Sequence, residues 1–131
     1  MDVLHLIVNG SQFERYANGE CTVVYKSFSP YYIKKLCVNP VYNRDNKLIA
    51  TCAISDYMLN QFANHYIDLK EALLKGDMLF KDYAEVCFHL GYSSVTMSYK
   101  IQRISLGTGR EEWSAPFGTE VFVIALGDRI S

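Results

Sequence analysis

The chain has 131 residues, half of them apolar, with 13 basic and 14 acidic side chains and a formal net charge of −1. That length suits one domain with a single core and is too short for two well-buried ones. The balance of charge excludes the global field of a strongly basic nucleic-acid binder or a membrane-surface protein, so any such role must rest on local patches.

Ten tyrosines and seven phenylalanines are many for a small domain to hide, and phenol groups need partners when buried. Some of them are therefore expected at the rim of a site. Cys21, Cys37, Cys52 and Cys87 show neither the spacing of zinc ribbons nor the density of a disulfide scaffold. They read as reduced, mostly buried thiols. The first ten residues contain only a short apolar run without a basic leader, and no run approaches the about 20 apolar residues that span a bilayer. The expectation is a soluble cytoplasmic protein with no membrane partner.

In chain order, Val3 to Val8 reads as a buried strand, short, β-branched and apolar except for His5. Ser11-Gln12-Phe13-Glu14 fits a capping box at a helix start, and Asn18-Gly19 fits its end. Cys21 to Lys26 alternates as a strand with Thr22, Val24 and Lys26 on one side. Ser29-Pro30 opens a short helix, serine capping and proline at the first helical position, and Leu36-Cys37 closes it. Asn39-Pro40 and Asn43-Arg44-Asp45-Asn46 are turn chemistry, leaving no room for a long element between them.

Leu48 to Ile54 suits a strand or a helix. Ser55-Asp56 caps a helix through about Tyr66, and Asp68 with Glu71 marks another that stops at Gly76. Seven acidic residues (Asp45, Asp56, Asp68, Glu71, Asp77, Asp82 and Glu85) give this region an acidic character opposite in sign to Gly19–Leu36. Ala84 to Leu90, Val95 to Leu106 and Glu120 to Leu126 then read as three antiparallel closing strands. The fold class is α+β: one domain over residues 1–131, a small mixed or antiparallel barrel with flanking short helices and a helical insertion at about 45–82.

The stretch from Gly19 to Leu36 concentrates the chemistry, because no acidic residue lies between Glu20 and Asp45. Lys26, Lys34 and Lys35 supply charge for phosphates, and Tyr31 and Tyr32 supply rings on which a base can stack. Lys100, Arg103 and Arg110 are candidates to extend that patch. Trp113, the single tryptophan, lies in a loop and suits stacking on a base or anchoring the loop. Glu112 beside it is the candidate general acid or base.

Cys21 is the thiol to weigh as a nucleophile, but it follows a helix C-terminus, the wrong end to lower its pKa, and no histidine is near in sequence. An idle buried thiol is the expected reading. His5, His65 and His89 show no metal-like spacing, so no metal and no cofactor are expected. Gly107-Thr108-Gly109-Arg110 lacks the strand-to-helix context of a phosphate loop and reads as a hairpin turn.

Three groups of residues resemble an ASCH domain, a small PUA-like β-barrel, and in particular the short ASCH-like proteins of gut Bacteroidetes and their phages. They are Gly19-Glu20-Cys21 with Tyr25-Lys26, then Tyr31-Tyr32-Ile33-Lys34-Lys35-Leu36. The third is a C-terminal run comprising Gly91-Tyr92, Ile104 to Trp113 and Phe117 to Gly127. The resemblance covers about two thirds of the chain and omits residues 38–82.

It implies binding of RNA or a modified nucleotide through Thr22, Lys26, Tyr31, Tyr32, Lys34, Lys35, Arg110 and Trp113. It also implies, for one branch, amide hydrolysis of N4-acylated cytidine-type nucleosides, with Thr22, Lys26 and Glu112 as the catalytic set here. The chain departs from that branch, with Cys21 at the motif's lysine, Val24 at its second threonine and Lys26 at its arginine. Those departures move the expectation from catalysis toward binding. A third expectation, a phage-like interaction protein, gives the acidic insertion a host protein as partner.

Overall fold

The structure is a computed structural model that describes residues 2–62, 65–108 and 120–131. In chain order the described elements are β1 (Asp2–Val8), α1 (Gly10–Ala17), β2 (Val23–Ser27), α2 (Pro30–Leu36), β3 (Cys37–Tyr42) and β4 (Leu48–Cys52). They continue with α3 (Asp56–Phe62), α4 (Tyr66–Lys75), β5 (Leu79–Phe80), β6 (Tyr83–Leu90), β7 (Thr96–Thr108) and β8 (Glu120–Arg129). The architecture is α+β: a five-stranded mixed sheet curled into a half-barrel, a second small sheet, and short helices. This agrees with the small barrel and flanking helices expected from the sequence. The chain packs as two compact units, one from the residues up to Tyr25 together with Asp82–Ser131, the other from Lys26–Lys81.

In the first unit the sheet order is β1-β6-β7-β8-β2. The antiparallel set β6-β7-β8 matches the expected closing strands, with Phe88 opposite Met97 and Ile104 opposite Ile124. β1 adds in parallel to β6, placing Leu4 opposite Val86 and Leu6 opposite Phe88. Contrary to a uniformly buried strand, β1 buries only Leu4, Leu6 and Val8, while His5 and Ile7 are exposed. An edge strand with one covered face alternates in this way.

α1 lies on the sheet through Tyr16, whose ring stacks on Phe88 with centroids 4.5 Å apart and planes 7° from parallel. The Tyr99 hydroxyl donates at 2.6 Å to the Tyr16 carbonyl, which also accepts from the Gly19 N–H at the helix end. The start of α1 corrects the expected capping box. The N-cap is Asn9, whose side chain accepts from the Gln12 N–H at 2.9 Å, and Ser11 lies inside the first turn. Asparagine caps at least as well as serine, and the helix begins two residues earlier. The C-terminus is as expected, with Asn18 as cap and Gly19 at φ 77°.

In the second unit Ser29 caps α2 and Pro30 opens it, as the sequence dictates. Ile33, Leu36, Cys37, Ile54, Leu69 and Met78 are its most buried residues, with Leu59 next. Asn39-Pro40, expected as a turn, lies instead within β3, the centre of a β4-β3-β5 sheet. Pro40 is tolerated because β5 pairs only with Cys37 and Val38, so from Asn39 onward β3 has a neighbour on one side alone. The turn chemistry of Asn43 makes the β3–β4 hairpin, its side chain accepting from the N–H groups of Asp45 and Lys47. The described part of α3 runs from Asp56 to Phe62, and α4 starts at Tyr66 and ends at Gly76, which holds φ 82°. Among the described residues no helix is long and apolar enough to cross a membrane.

Candidate nucleic-acid interface

The second unit gathers four of the expected site residues. Proline at its first position sets the phase of α2, so Tyr31 and Lys35 fall one turn apart on the same face. The Lys35 Nζ donates to the Tyr31 hydroxyl at 3.4 Å and lies 5.5 Å from the centroid of that ring. Tyr31 and Tyr32 meet edge to face, with centroids 4.9 Å apart and planes at 89°. Lys26, at the start of this unit, places its Nζ 5.6 Å from the Tyr32 ring centroid. The result is an interleaved group of two ammonium ions and two phenol rings, each cation within reach of a π face.

Burial lowers the pKa of the Lys26 ammonium, and the Lys35 charge lowers it further, so the two cations feel each other. Burial raises the pKa of the Tyr32 phenol, with Tyr31 adding to the effect. Tyr31 is 63% exposed and Lys34 is exposed, whereas Tyr32, Lys26 and Lys35 are half-buried. Lys34 thus offers an exposed charge beside the group, and Tyr31 offers a ring that a base can cover.

The other expected residues are placed differently. Thr22 belongs to the first unit, is exposed, and its carbonyl accepts from the Leu126 N–H at 3.0 Å. Cys21 is buried, and desolvation raises its pKa, with Arg15 opposing and Glu20 adding. That is the environment of an inert thiol. Lys100 and Arg103 are exposed on β7 in the first unit. Arg110, Glu112 and Trp113 lie outside the described residues, whereas Gly107 and Thr108 of the expected hairpin turn lie in β7 opposite Val121 and Glu120.

The fold also brings together a group that sequence spacing conceals. His5 Nδ1 lies 2.9 Å from His89 Nε2, the two rings are 5.1 Å apart, and Cys87 completes a cluster of ligand atoms within 4.8 Å of one another. The two imidazoles hydrogen-bond each other. The only local signal is Cys87 and His89 two apart on one strand, which puts both on one face. His5 joins them solely through the parallel β1–β6 ladder.

No protein-family model matches the chain, and neither a curated protein nor a solved structure shows significant similarity to it.

Proposed function

We propose that the protein binds RNA or a modified nucleotide through the α2 group, with Lys26, Lys34 and Lys35 on phosphate and Tyr31 stacking on a base. The observation that carries this reading is the approach of Lys26 and Lys35 to each other over the Tyr31 and Tyr32 rings. Lys26, whose charge is disfavoured by burial and by the Lys35 charge, gains from an anion placed beside it, and an exposed ring nearby adds stacking worth about 1–3 kcal/mol per base. The resemblance to ASCH domains supports the same choice of ligand.

The test is titration of short single-stranded RNA at low and moderate salt. Replacing Lys26, Lys34 and Lys35 together by Glu should abolish binding, and replacing Tyr31 by Ala should weaken it about tenfold or more. Loss of three phosphate contacts would flatten the log-log salt dependence by about 2. Unchanged affinity in the triple variant rejects the reading. The hydrolytic alternative, with Thr22, Lys26 and Glu112 acting on N4-acylcytidines, is tested by incubation at high protein concentration, where absence of turnover removes it.

A second reading, a protein-interaction surface on the insertion, is favoured by one observation. Ile49, Tyr57, Ile67 and Leu74 are 61%, 72%, 69% and 79% exposed, more apolar surface than the region's own packing uses. Deletion of the insertion without loss of the biological effect counts against it.

A further inference from the structure

The outer face of the first unit's sheet carries three side chains with metal-binding chemistry. β1 and β6 run parallel with His5 opposite Cys87 and Ile7 opposite His89. Leu4, Leu6, Val86 and Phe88 are 3% exposed or less, so strand alternation turns His5, Cys87 and His89 together to the opposite face. His5 is exposed and the other two are half-buried, which leaves the group reachable from solvent.

We propose that His5, Cys87 and His89 form a site for a first-row divalent metal of the zinc class, with a fourth position open to solvent. Two imidazoles and a thiolate select zinc-like ions over magnesium or calcium, which take oxygen ligands. Three protein ligands with one open position is the arrangement that zinc adopts where it also holds water or a small ligand. Metal–nitrogen and metal–sulfur bonds of about 2.0–2.3 Å put neighbouring tetrahedral ligands about 3.3–3.8 Å apart. The 2.9 Å histidine pair and the 4.8 Å outer limit of the cluster fall on either side of that range, so rotation of side chains is enough to close on an ion.

Spacing among the histidines along the chain gives no sign of this site. The parallel ladder makes that spacing irrelevant, because it joins residues 84 apart. On binding, the hydrogen bond between His5 and His89 breaks. Each neutral imidazole then presents one lone pair and keeps its proton on the other ring nitrogen. The Cys87 thiol forms the sulfur–metal bond and releases one proton to solvent, so affinity falls as the pH is lowered.

The experiment is titration of the tag-free, reduced chain with Co²⁺ followed by visible absorption, and with Zn²⁺ in competition. Saturable 1:1 binding with a thiolate-to-cobalt charge-transfer band is expected, displaced by Zn²⁺. Cys87→Ser should remove the band, and His5→Gln or His89→Gln should weaken binding by more than about tenfold, a loss typical even of outer partners. All three substitutions sit on the solvent side of the sheet, and circular dichroism checks that each variant folds. In the unsubstituted chain, Zn²⁺ should also slow alkylation of Cys87 while leaving the exposed Cys52 unaffected. Absence of saturable binding, or binding that survives Cys87→Ser and the double histidine variant, overturns the proposal.

Discussion

The Nζ of Lys26 lies 5.6 Å from the centre of the Tyr32 ring, and the neighbouring Lys35 charge helps to disfavour its protonation. The first consequence is a pH dependence of stability. In the unfolded chain Lys26 holds its proton up to its ordinary value of 10.5, whereas in the fold burial and then Lys35 lower that value. Between the two, the unfolded chain binds more protons, so this residue makes stability rise with pH. Thermal unfolding of wild type and Lys26→Met should therefore diverge in favour of wild type as pH is raised from 7 toward 10. A constant difference would show that Lys26 carries no such penalty.

The cap of α1 gives a prediction on two adjacent polar residues. Asn9 accepts from the Gln12 N–H, and Ser11 lies within the first turn. Asn9→Ala should cost about 1 kcal/mol in denaturant unfolding. Ser11→Ala should change stability by less than about 0.5 kcal/mol, the range of ordinary surface substitutions. The reverse ranking would restore the capping box.

Gly76 ends α4 at φ 82°, and a Cβ there would meet the Tyr42 hydroxyl at 3.2 Å. That hydroxyl donates to the Gly76 carbonyl at 2.6 Å. Gly76→Ala should destabilise by about 1–2 kcal/mol from the left-handed backbone alone. Tyr42→Phe should cost about 0.5–1.5 kcal/mol for the lost hydrogen bond. The two residues share that contact, so the double variant should fall short of the sum.

Alkaline unfolding reports on two buried groups. Burial pushes the Tyr16 phenol from 10.0 up to about 12 and the Cys37 thiol from 9.0 up to about 12, Lys81 opposing in the latter case. A raised value in the fold means that stability is intact below the unfolded value and is lost as pH climbs toward 12. The Tyr16 displacement corresponds to about 3 kcal/mol. Tyr16→Phe should flatten the decline in melting temperature above pH 10.

Cys37 is 0% exposed and Cys52 is exposed. Iodoacetamide at pH 8 should therefore label Cys52 first, as read by peptide mass spectrometry, with Cys37 labelled only on unfolding.

Much of the local structure was legible in the residues themselves. Ser29-Pro30 starts α2, Gly19 and Gly76 adopt the left-handed conformation at helix ends, Asn43 builds a hairpin turn, and β6, β7 and β8 follow from short apolar runs between turn residues. Each of these rests on interactions within a few residues, and a sequence displays those directly. The α2 group was half legible, because Tyr31 and Lys35 meet by helical spacing alone.

Tertiary structure decided the rest. Asn39-Pro40 lies in a strand because β4 pairs with that segment, overriding turn propensity, and β1 exposes His5 because strand alternation turns it away from the face that buries Leu4 and Leu6. The nearness of His5 to Cys87 and His89 follows from how distant segments pack. No local rule encodes a parallel register between residues more than eighty apart, so chemistry that depends on it emerges only when the sheet forms.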